Sequence, residues 1–327
     1  MKKTLARALI LSLMLVLPLS AIAGETVPPG AQNIQPAAEG FICDIVSIGG
    51  RTLVMGYAGT GGPFSWSDWG ILGEADPGEE RVVLERDNPV GIVPCGDSFV
   101  YFDGKSDSTG GWMIRKLGEE PRELPLTYGD SVFYGDGDSI WYATSVDMMK
   151  SALYSIGLDG SNKQRLGLVR GNIAGVLADS SIVLVDFEEN TLSAWKDNQS
   201  TVLFSSSGEQ IRNVAVTADA IWVVFIDHFG RVVDGALRDR QEGYAMLEGS
   251  SGHQLVFLVV DQPLASEARV MLMNDTIHSY AELGRVPCGF LSRVELREDR
   301  VIVWGDETSV LPIPAEAEAW TICQDAR

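Results

Sequence analysis

The sequence is poor in positive charge and in proline, and each shortage excludes a class of protein. Its 327 residues include 25 lysines and arginines against 45 aspartates and glutamates, which gives a formal charge of −20. A chain this negative is unsuited to binding a nucleic-acid backbone. The 14 prolines follow no collagen-like period, so a fibrous protein is excluded. A hydrophobic content of 45% is too high for a disordered acidic chain.

Cysteine and histidine are also scarce, which argues against a metal site. The chain has 4 cysteines, none in a CxxC pair, and 3 histidines scattered over its second half. A zinc site needs thiolates and imidazoles that are brought together at characteristic spacings. We therefore predict no metal and no other cofactor.

The four cysteines predict two disulfides, because an even number in an exported chain is typical of an oxidising compartment. They are Cys43, Cys95, Cys288 and Cys323. Four cysteines allow three pairings, and all three stay open at this point. We slightly favour Cys43 with Cys323, because that bond would close a circular fold and its large loop is worth about 4 to 5 kcal/mol in the chain-entropy model.

Residues 1–23 are predicted to be a cleaved signal peptide. A basic start is followed by an apolar stretch from Ala8 to about Leu19 and by the small-x-small pattern Ala21, Ile22, Ala23. The stretch is shorter than the roughly 20 residues of a spanning helix, and no second long apolar run follows. We expect a periplasmic or secreted protein that does not span the membrane. Residues 24–38 are predicted to be a proline-rich tether, and residues 39–327 one domain.

A pair of short strands joined by a small or acidic turn recurs about every 41 residues, which is the period of propeller blades. A two-domain β-sandwich predicts no such regular spacing, and an α/β enzyme needs amphipathic helices that the sequence lacks. We therefore predict an all-β fold, a β-propeller of seven blades with four antiparallel strands each. Six blades is the alternative, because the copy near His253 is degraded. The turns centre on Gly50, Asp97, Asp138, Asp179, Asp219, His253 and Asp299.

One repeat resembles a known superfamily. The segment from Ser139 to Leu166, SIWYATSVDMMKSALYSIGLDGSNKQRL, is similar to a repeat of the bacterial YWTD-type and TolB-like propellers. In those repeats an aromatic second strand is followed by the pattern LYxIxxDGSNxxxL. The other repeats share only the strand spacing. The resemblance implies the propeller fold, and because that superfamily has many unrelated roles it implies no single function.

The loops that lead from the last strand of one blade to the first strand of the next carry arginines and amides. In a propeller such loops surround one mouth of the central channel, where ligands commonly bind. Positive charge gathered there in an acidic chain would attract a small anionic ligand or an acidic peptide of a partner protein. The predicted ligand-binding residues are Arg86, Asn88, Arg170, Asn172, Arg212, Asn213, His253 and Arg285.

No catalytic residue is assigned from the sequence. It contains no GxSxG or P-loop motif. Asp227 and His228 are adjacent, and neighbouring strand residues point to opposite faces, so we expect an exposed turn histidine instead of a dyad. These observations favour a module that binds a protein or ligand without chemistry. The alternative is a calcium-dependent lactonase, lyase or glycosidase type of enzyme whose site converges in the channel.

Overall fold

The computed structural model describes residues 32–34, 40–48, 51–58, 69–72, 83–86, 89–104, 110–262, 265–276, 278–289, 292–305, 307–315 and 320–322. These ranges consist of strands, turns and irregular segments, without any helix. The all-β prediction is therefore confirmed for them. It follows that this part of the chain has no helix long and apolar enough to cross a bilayer.

The strands of the described residues are grouped into seven antiparallel sheets, which we number in chain order. The first strand, β1 (Gln32–Ile34), belongs to the last sheet. Sheet 1 contains β2 (Gly40–Ile48), β3 (Arg51–Ala58), β4 (Trp69–Leu72) and β5 (Val83–Arg86). Sheet 2 contains β6 (Pro89–Cys95), β7 (Ser98–Asp103), β8 (Gly111–Lys116) and β9 (Arg122–Glu123). Sheet 3 contains β10 (Asp130–Gly135), β11 (Ser139–Ser145), β12 (Lys150–Gly157) and β13 (Gln164–Arg170).

The remaining sheets follow the same order. Sheet 4 contains β14 (Asn172–Val176), β15 (Ile182–Asp186), β16 (Thr191–Lys196) and β17 (Gln199–Ser205). Sheet 5 contains β18 (Asn213–Val216), β19 (Ile221–Val224), β20 (His228–Val233) and β21 (Ala236–Glu242). Sheet 6 contains β22 (Tyr244–Ser251), β23 (Gln254–Val260), β24 (Glu267–Asn274), β25 (Ser279–Pro287) and β29 (Thr321–Ile322). Sheet 7 contains β26 (Arg293–Leu296), β27 (Arg300–Trp304), β28 (Thr308–Pro312) and β1.

The sheets form a closed ring. The first strands of neighbouring sheets lie side by side from β22 through β26, β2, β6, β10 and β14 to β18, and sheets 5 and 6 meet where β19 and β20 contact β22. Within the described residues six sheets have the four strands predicted for a blade, and sheet 6 carries β29 as a fifth. The predicted β-propeller of four-stranded antiparallel blades is thus confirmed. Six of the seven turns named from the repeat lie between the first and second strands of different sheets, and the seventh, at Gly50, lies outside the described residues.

The ring is closed by strands from the two ends of the domain. β1 lies antiparallel to β28, with Gln32 opposite Val310 and Ile34 opposite Thr308. Without β1 the edge of β28 would present unpaired backbone groups to solvent. Since Gln32–Ile34 fall in the segment 24–38, the prediction of a tether is wrong for these three residues.

The core is divided into clusters that lie between adjacent sheets. In β15, Ile182 and Leu184 pack toward sheet 3, whereas Val183 and Val185 pack toward sheet 5. Neighbouring strand residues point to opposite faces, so a strand covered on both faces must be apolar throughout. This explains the uninterrupted apolar runs of the second strands.

Acidic residues hold several hairpin turns. The Asp136 Oδ1 atom accepts hydrogen bonds from the backbone N–H groups of Asp138 and Ser139 at 2.9 and 2.7 Å, and Asp179 Oδ1 accepts one from Ser181 at 2.9 Å. Partial burial opposes the ionisation of Asp136, but these bonds outweigh it and lower its pKa. The carboxylates are therefore turn residues, as Asp and Ser commonly are.

Cys95 departs from the disulfide prediction. It ends β6 as a buried free thiol packed between sheets 2 and 3, and its Sγ atom lies 3.5 Å from the carbonyl oxygen of Ser139. Burial raises the pKa of this thiol, which keeps it protonated. The prediction that all four cysteines are paired is therefore wrong for Cys95. Cys323 lies outside the described residues, and its pairing with Cys43 stays a prediction.

Candidate binding face of the propeller

The order of the strands fixes which turns share a face of the ring. In each sheet the turn between the second and third strands lies at the same end as the link to the next sheet. We call this end the upper face. The turns between the first and second strands, and between the third and fourth, form the lower face.

The structure brings most of the predicted ligand-binding residues to the upper face. Arg170 and Asn172 flank the link from sheet 3 to sheet 4, and Arg212 and Asn213 end the link from sheet 4 to sheet 5. Arg86 and Arg285 lie at the upper ends of the outer strands β5 and β25. Asn88 lies outside the described residues.

Two of the arginines at this face are paired with carboxylates. The Arg170 Nε atom lies 3.9 Å from Asp186 Oδ2. Arg285 Nη1 lies 3.6 Å from Asp261 Oδ2 and 3.8 Å from Glu267 Oε2. Arg212 is exposed and has no ion pair with the described residues. Carboxylates therefore offset much of the positive charge that the link sequences suggest.

His253 lies on the other face. It occupies the turn between β22 and β23, on the lower face, so its prediction as a channel-mouth residue beside the arginines is wrong. Its Nδ1 atom is 2.8 Å from Oδ2 of Asp219, which occupies the matching turn of sheet 5. The contact joins two neighbouring sheets.

Exposed apolar side chains are concentrated on the upper face. Tyr128 is 85% exposed and Met148 80%, and neither contributes to the core. Of the seven exposed large apolar residues in the described part of the chain, none lies in a lower-face turn. Leu168 and Val202 lie on the outermost strands β13 and β17. The other five lie in upper-face loops of sheets 3, 4 and 5, and we call them the apolar loop residues: Tyr128, Val146, Met148, Phe187 and Ile226.

Local hydrogen bonds hold these loops in shape. Asp147 Oδ1 accepts from the Met149 N–H at 2.8 Å, and Asp186 Oδ1 accepts from the Glu188 N–H at 3.0 Å. The Phe225 N–H donates to the His228 carbonyl at 2.8 Å and closes the turn that carries Ile226. Each turn thus leaves an apolar side chain pointing away from the core. Sequence reasoning missed them, although Met148 follows a turn aspartate and Phe187 begins the turn after Asp186, where polar residues are the norm.

His228 is buried, against expectation. Its side chain is 1% exposed and stacks on Phe225 with ring centroids 4.6 Å apart. The Nδ1 atom lies 2.7 Å from Asp227 Oδ1, and Nε2 lies 3.5 Å from Glu209 Oε2. The opposite-face rule does not apply because Asp227 belongs to the turn before β20. The hydrogen bond lowers the pKa of Asp227. The buried imidazole stabilises the turn through these contacts and is not accessible to a substrate.

The lower face has a buried polar junction between sheets 5 and 6. Asp275 accepts hydrogen bonds from Thr217 Oγ1 at 2.6 Å and from Trp222 Nε1 at 3.0 Å. Burial raises the pKa of Asp275, and these two hydrogen bonds oppose the shift without cancelling it. Nearby, Arg231 Nε donates to Asp239 Oδ2 at 2.7 Å. These hydrogen bonds satisfy both Asp275 oxygens and Asp239 Oδ2, whereas the buried Asp239 Oδ1 atom has no hydrogen-bond partner.

In the described ranges, no group of three or more His, Cys, Asp or Glu side chains is arranged to hold a metal ion.

Comparison with known proteins yields the fold. No protein-family model matches the sequence. No curated protein matches it either. Among solved structures, YCF48 from Cyanidioschyzon merolae aligns with a TM-score of 0.56 and 11% identity over 86% of this chain and 99% of that chain. An oligogalacturonate lyase in complex with manganese aligns with a TM-score of 0.54 and 11% identity over 88% and 92%.

TolB from Acinetobacter baumannii is also among the similar structures. It aligns with a TM-score of 0.45 and 11% identity over 86% of this chain, which spans 63% of the TolB chain. Identities this low bear on the fold alone, and the chain is a β-propeller. One of its structural neighbours is a lyase, so the architecture by itself selects no activity.

Proposed function

We propose that the protein is a binding module that recognises another protein through its upper face and performs no chemistry. The observation that carries this proposal is the gathering of the apolar loop residues on one face. Exposed apolar residues grouped on one side of a protein mark an interaction surface more often than they occur by accident. Tyrosine, phenylalanine and methionine are also enriched where proteins contact one another.

The state of the loops supports recognition of a protein instead of a small anion. Two of the arginines expected to bind an anion, Arg170 and Arg285, are paired with carboxylates. Turns already held by Asp147 and Asp186 lose little conformational freedom on binding, so more of the apolar burial contributes to affinity. A channel-sited enzyme is not proposed, because His228 and Asp275 are buried in structural contacts.

Substitution in the loops tests the surface. Peptides that bind the wild-type protein are first selected from a random library displayed on phage. Exchange of Met148 and Phe187 for serine together should weaken their binding at least about tenfold, because burying one such side chain contributes about 1.5 to 3 kcal/mol. Fluorescence anisotropy of the labelled peptides measures the change.

The matched control exchanges Leu168 and Val202 for serine. These residues are also exposed and apolar, but they lie on outer strands. Their double variant should bind the peptides as the wild type does. Equal binding by both double variants, or a loss confined to the control, would place the site elsewhere.

We also propose that the module is exported, on the strength of the signal pattern in residues 1–23. Expression in a Gram-negative bacterium, followed by fractionation and N-terminal sequencing, checks this. The protein should be recovered outside the cytoplasm and begin at Gly24. A cytoplasmic product that begins at Met1 would contradict it.

A further inference from the structure

We infer that the upper-face loops of sheets 3 to 5 recognise a partner segment in which apolar residues lie next to lysine or arginine. This inference rests on the proposed function and adds the chemistry of the partner to it. It is supported by exposed carboxylates that lie next in sequence to four of the five apolar loop residues.

Each of three loops places an exposed carboxylate next to an exposed apolar side chain. Asp147 precedes Met148, Glu188 follows Phe187, and Asp227 follows Ile226. Glu189 lies in the same turn as Glu188, and Glu209 lies in the neighbouring link with a side chain 59% exposed. The mixture of apolar and acidic side chains therefore repeats in sheets 3, 4 and 5.

The carboxylates exceed the positive charges that could neutralise them. Arg170 is paired with Asp186, and Arg240, whose charge also acts on Asp227, is paired with Glu242 at 2.9 Å. Lys150 and Arg212 are the exposed cations of these loops that have no ion pair with the described residues. These two cations, together with the His228 imidazole that contacts Asp227 and Glu209, are fewer than the five carboxylates Asp147, Glu188, Glu189, Asp227 and Glu209.

Binding through the apolar side chains would bring these carboxylates out of bulk water. A carboxylate that loses water without gaining a partner disfavours the complex, so an apolar or acidic partner is selected against. A lysine or arginine beside each apolar contact supplies the missing partner. The overall charge of −20 adds a long-range attraction for a basic segment and speeds its encounter.

The experiment uses two short synthetic peptides of the same length. One combines leucine with lysine, and the other has glutamate at every lysine position. Their dissociation constants are measured by isothermal titration calorimetry on the full protein at about 50 and 200 mM NaCl, since screening changes strongly over this range. At the lower salt concentration, the lysine peptide should bind at least about tenfold more tightly than the glutamate peptide.

Paired variants locate the effect. Exchange of Glu188 and Glu189 for glutamine should weaken the lysine peptide about threefold or more and flatten its salt dependence, since exposed pairs contribute about 0.2 to 1 kcal/mol each. The control exchanges Glu119 and Glu120, an adjacent exposed pair in the lower-face turn between β8 and β9, for glutamine. The control should leave both the affinity and its salt dependence unchanged.

The outcomes separate this inference from the proposed function. Equal or tighter binding of the glutamate peptide would overturn the inference, as would equal effects of the two glutamine variants. If the serine variant of Met148 and Phe187 still abolished binding of the phage-selected peptides, the upper face would remain the binding surface, but its preference for basic segments would be wrong. If that variant had no effect either, the proposed function would fall with it.

Discussion

Replacing Phe257 with alanine should lower the free energy of unfolding by about 3 to 5 kcal/mol, the usual cost of emptying a buried aromatic site. Phe257 is fully buried where sheets 5 and 6 meet, and its ring centroid lies 4.6 Å from that of Phe229 and 5.8 Å from that of Trp222. The cavity would separate two neighbouring sheets of a closed ring. Urea unfolding followed by circular dichroism measures the change.

Phe187 provides a control with the same substitution. Its side chain belongs to an upper-face loop and stays partly exposed, so Phe187→Ala should cost about 1 kcal/mol or less. If the two alanine variants were equally stable, the clusters between sheets would not be the source of stability that the burial pattern indicates.

Replacing Arg231 with methionine should also destabilise the fold by about 3 to 5 kcal/mol, because it leaves a buried charge without its partner. The Asp239 side chain is 1% exposed and accepts its hydrogen bond from Arg231 Nε at 2.7 Å. Arg231 Nη1 also lies 2.9 Å from His278 Nδ1 of sheet 6, so the loss reaches the neighbouring sheet. The free energy of unfolding is measured in urea.

A second substitution distinguishes charge from packing. Asp239 has a φ of 53°, a conformation that asparagine tolerates well, so Asp239→Asn removes the charge without backbone strain. Arg231→Met combined with Asp239→Asn should recover much of the stability that Arg231→Met loses. A double variant as unstable as the single one would assign the cost to packing of the arginine.

The repeat was the part of the fold that the sequence revealed well. A blade must place its first hairpin turn at the same point each time, so even the degraded copy at His253 marks the turn between β22 and β23. β15, the second strand of sheet 4, is covered on both faces, so its residues are apolar without interruption. Such an apolar run can be recognised in the sequence. The propeller architecture could therefore be predicted from local sequence patterns.

Contacts between distant segments could not be foreseen in the same way. Gln32–Ile34 are too few to form a recognisable strand, and their role depends on the free edge of β28, far along the chain. The pairing of Arg285 with Asp261 likewise depends on how the strands of sheet 6 align. For this reason the predicted arginines looked like a positive site in the sequence, whereas in the structure two of them, Arg170 and Arg285, are paired with carboxylates.

The residues of the proposed binding face are not part of the recurring pattern from which the fold was predicted. Met148, Phe187 and Ile226 occupy turns between second and third strands, where the repeat has no shared residue. His228 was misjudged because the boundary between turn and strand falls between it and Asp227. A one-residue shift of an element boundary changes which side chains can meet.

Hydrogen exchange of the full protein, with and without a saturating phage-selected peptide, tests the upper face most directly. Bound peptide should slow exchange of amides in residues 145–149, 187–190 and 225–228, and leave the lower-face turns at 117–120 and 158–163 unchanged. Protection confined to the lower-face turns, with the three upper-face segments unaffected, would contradict the upper face as the binding surface.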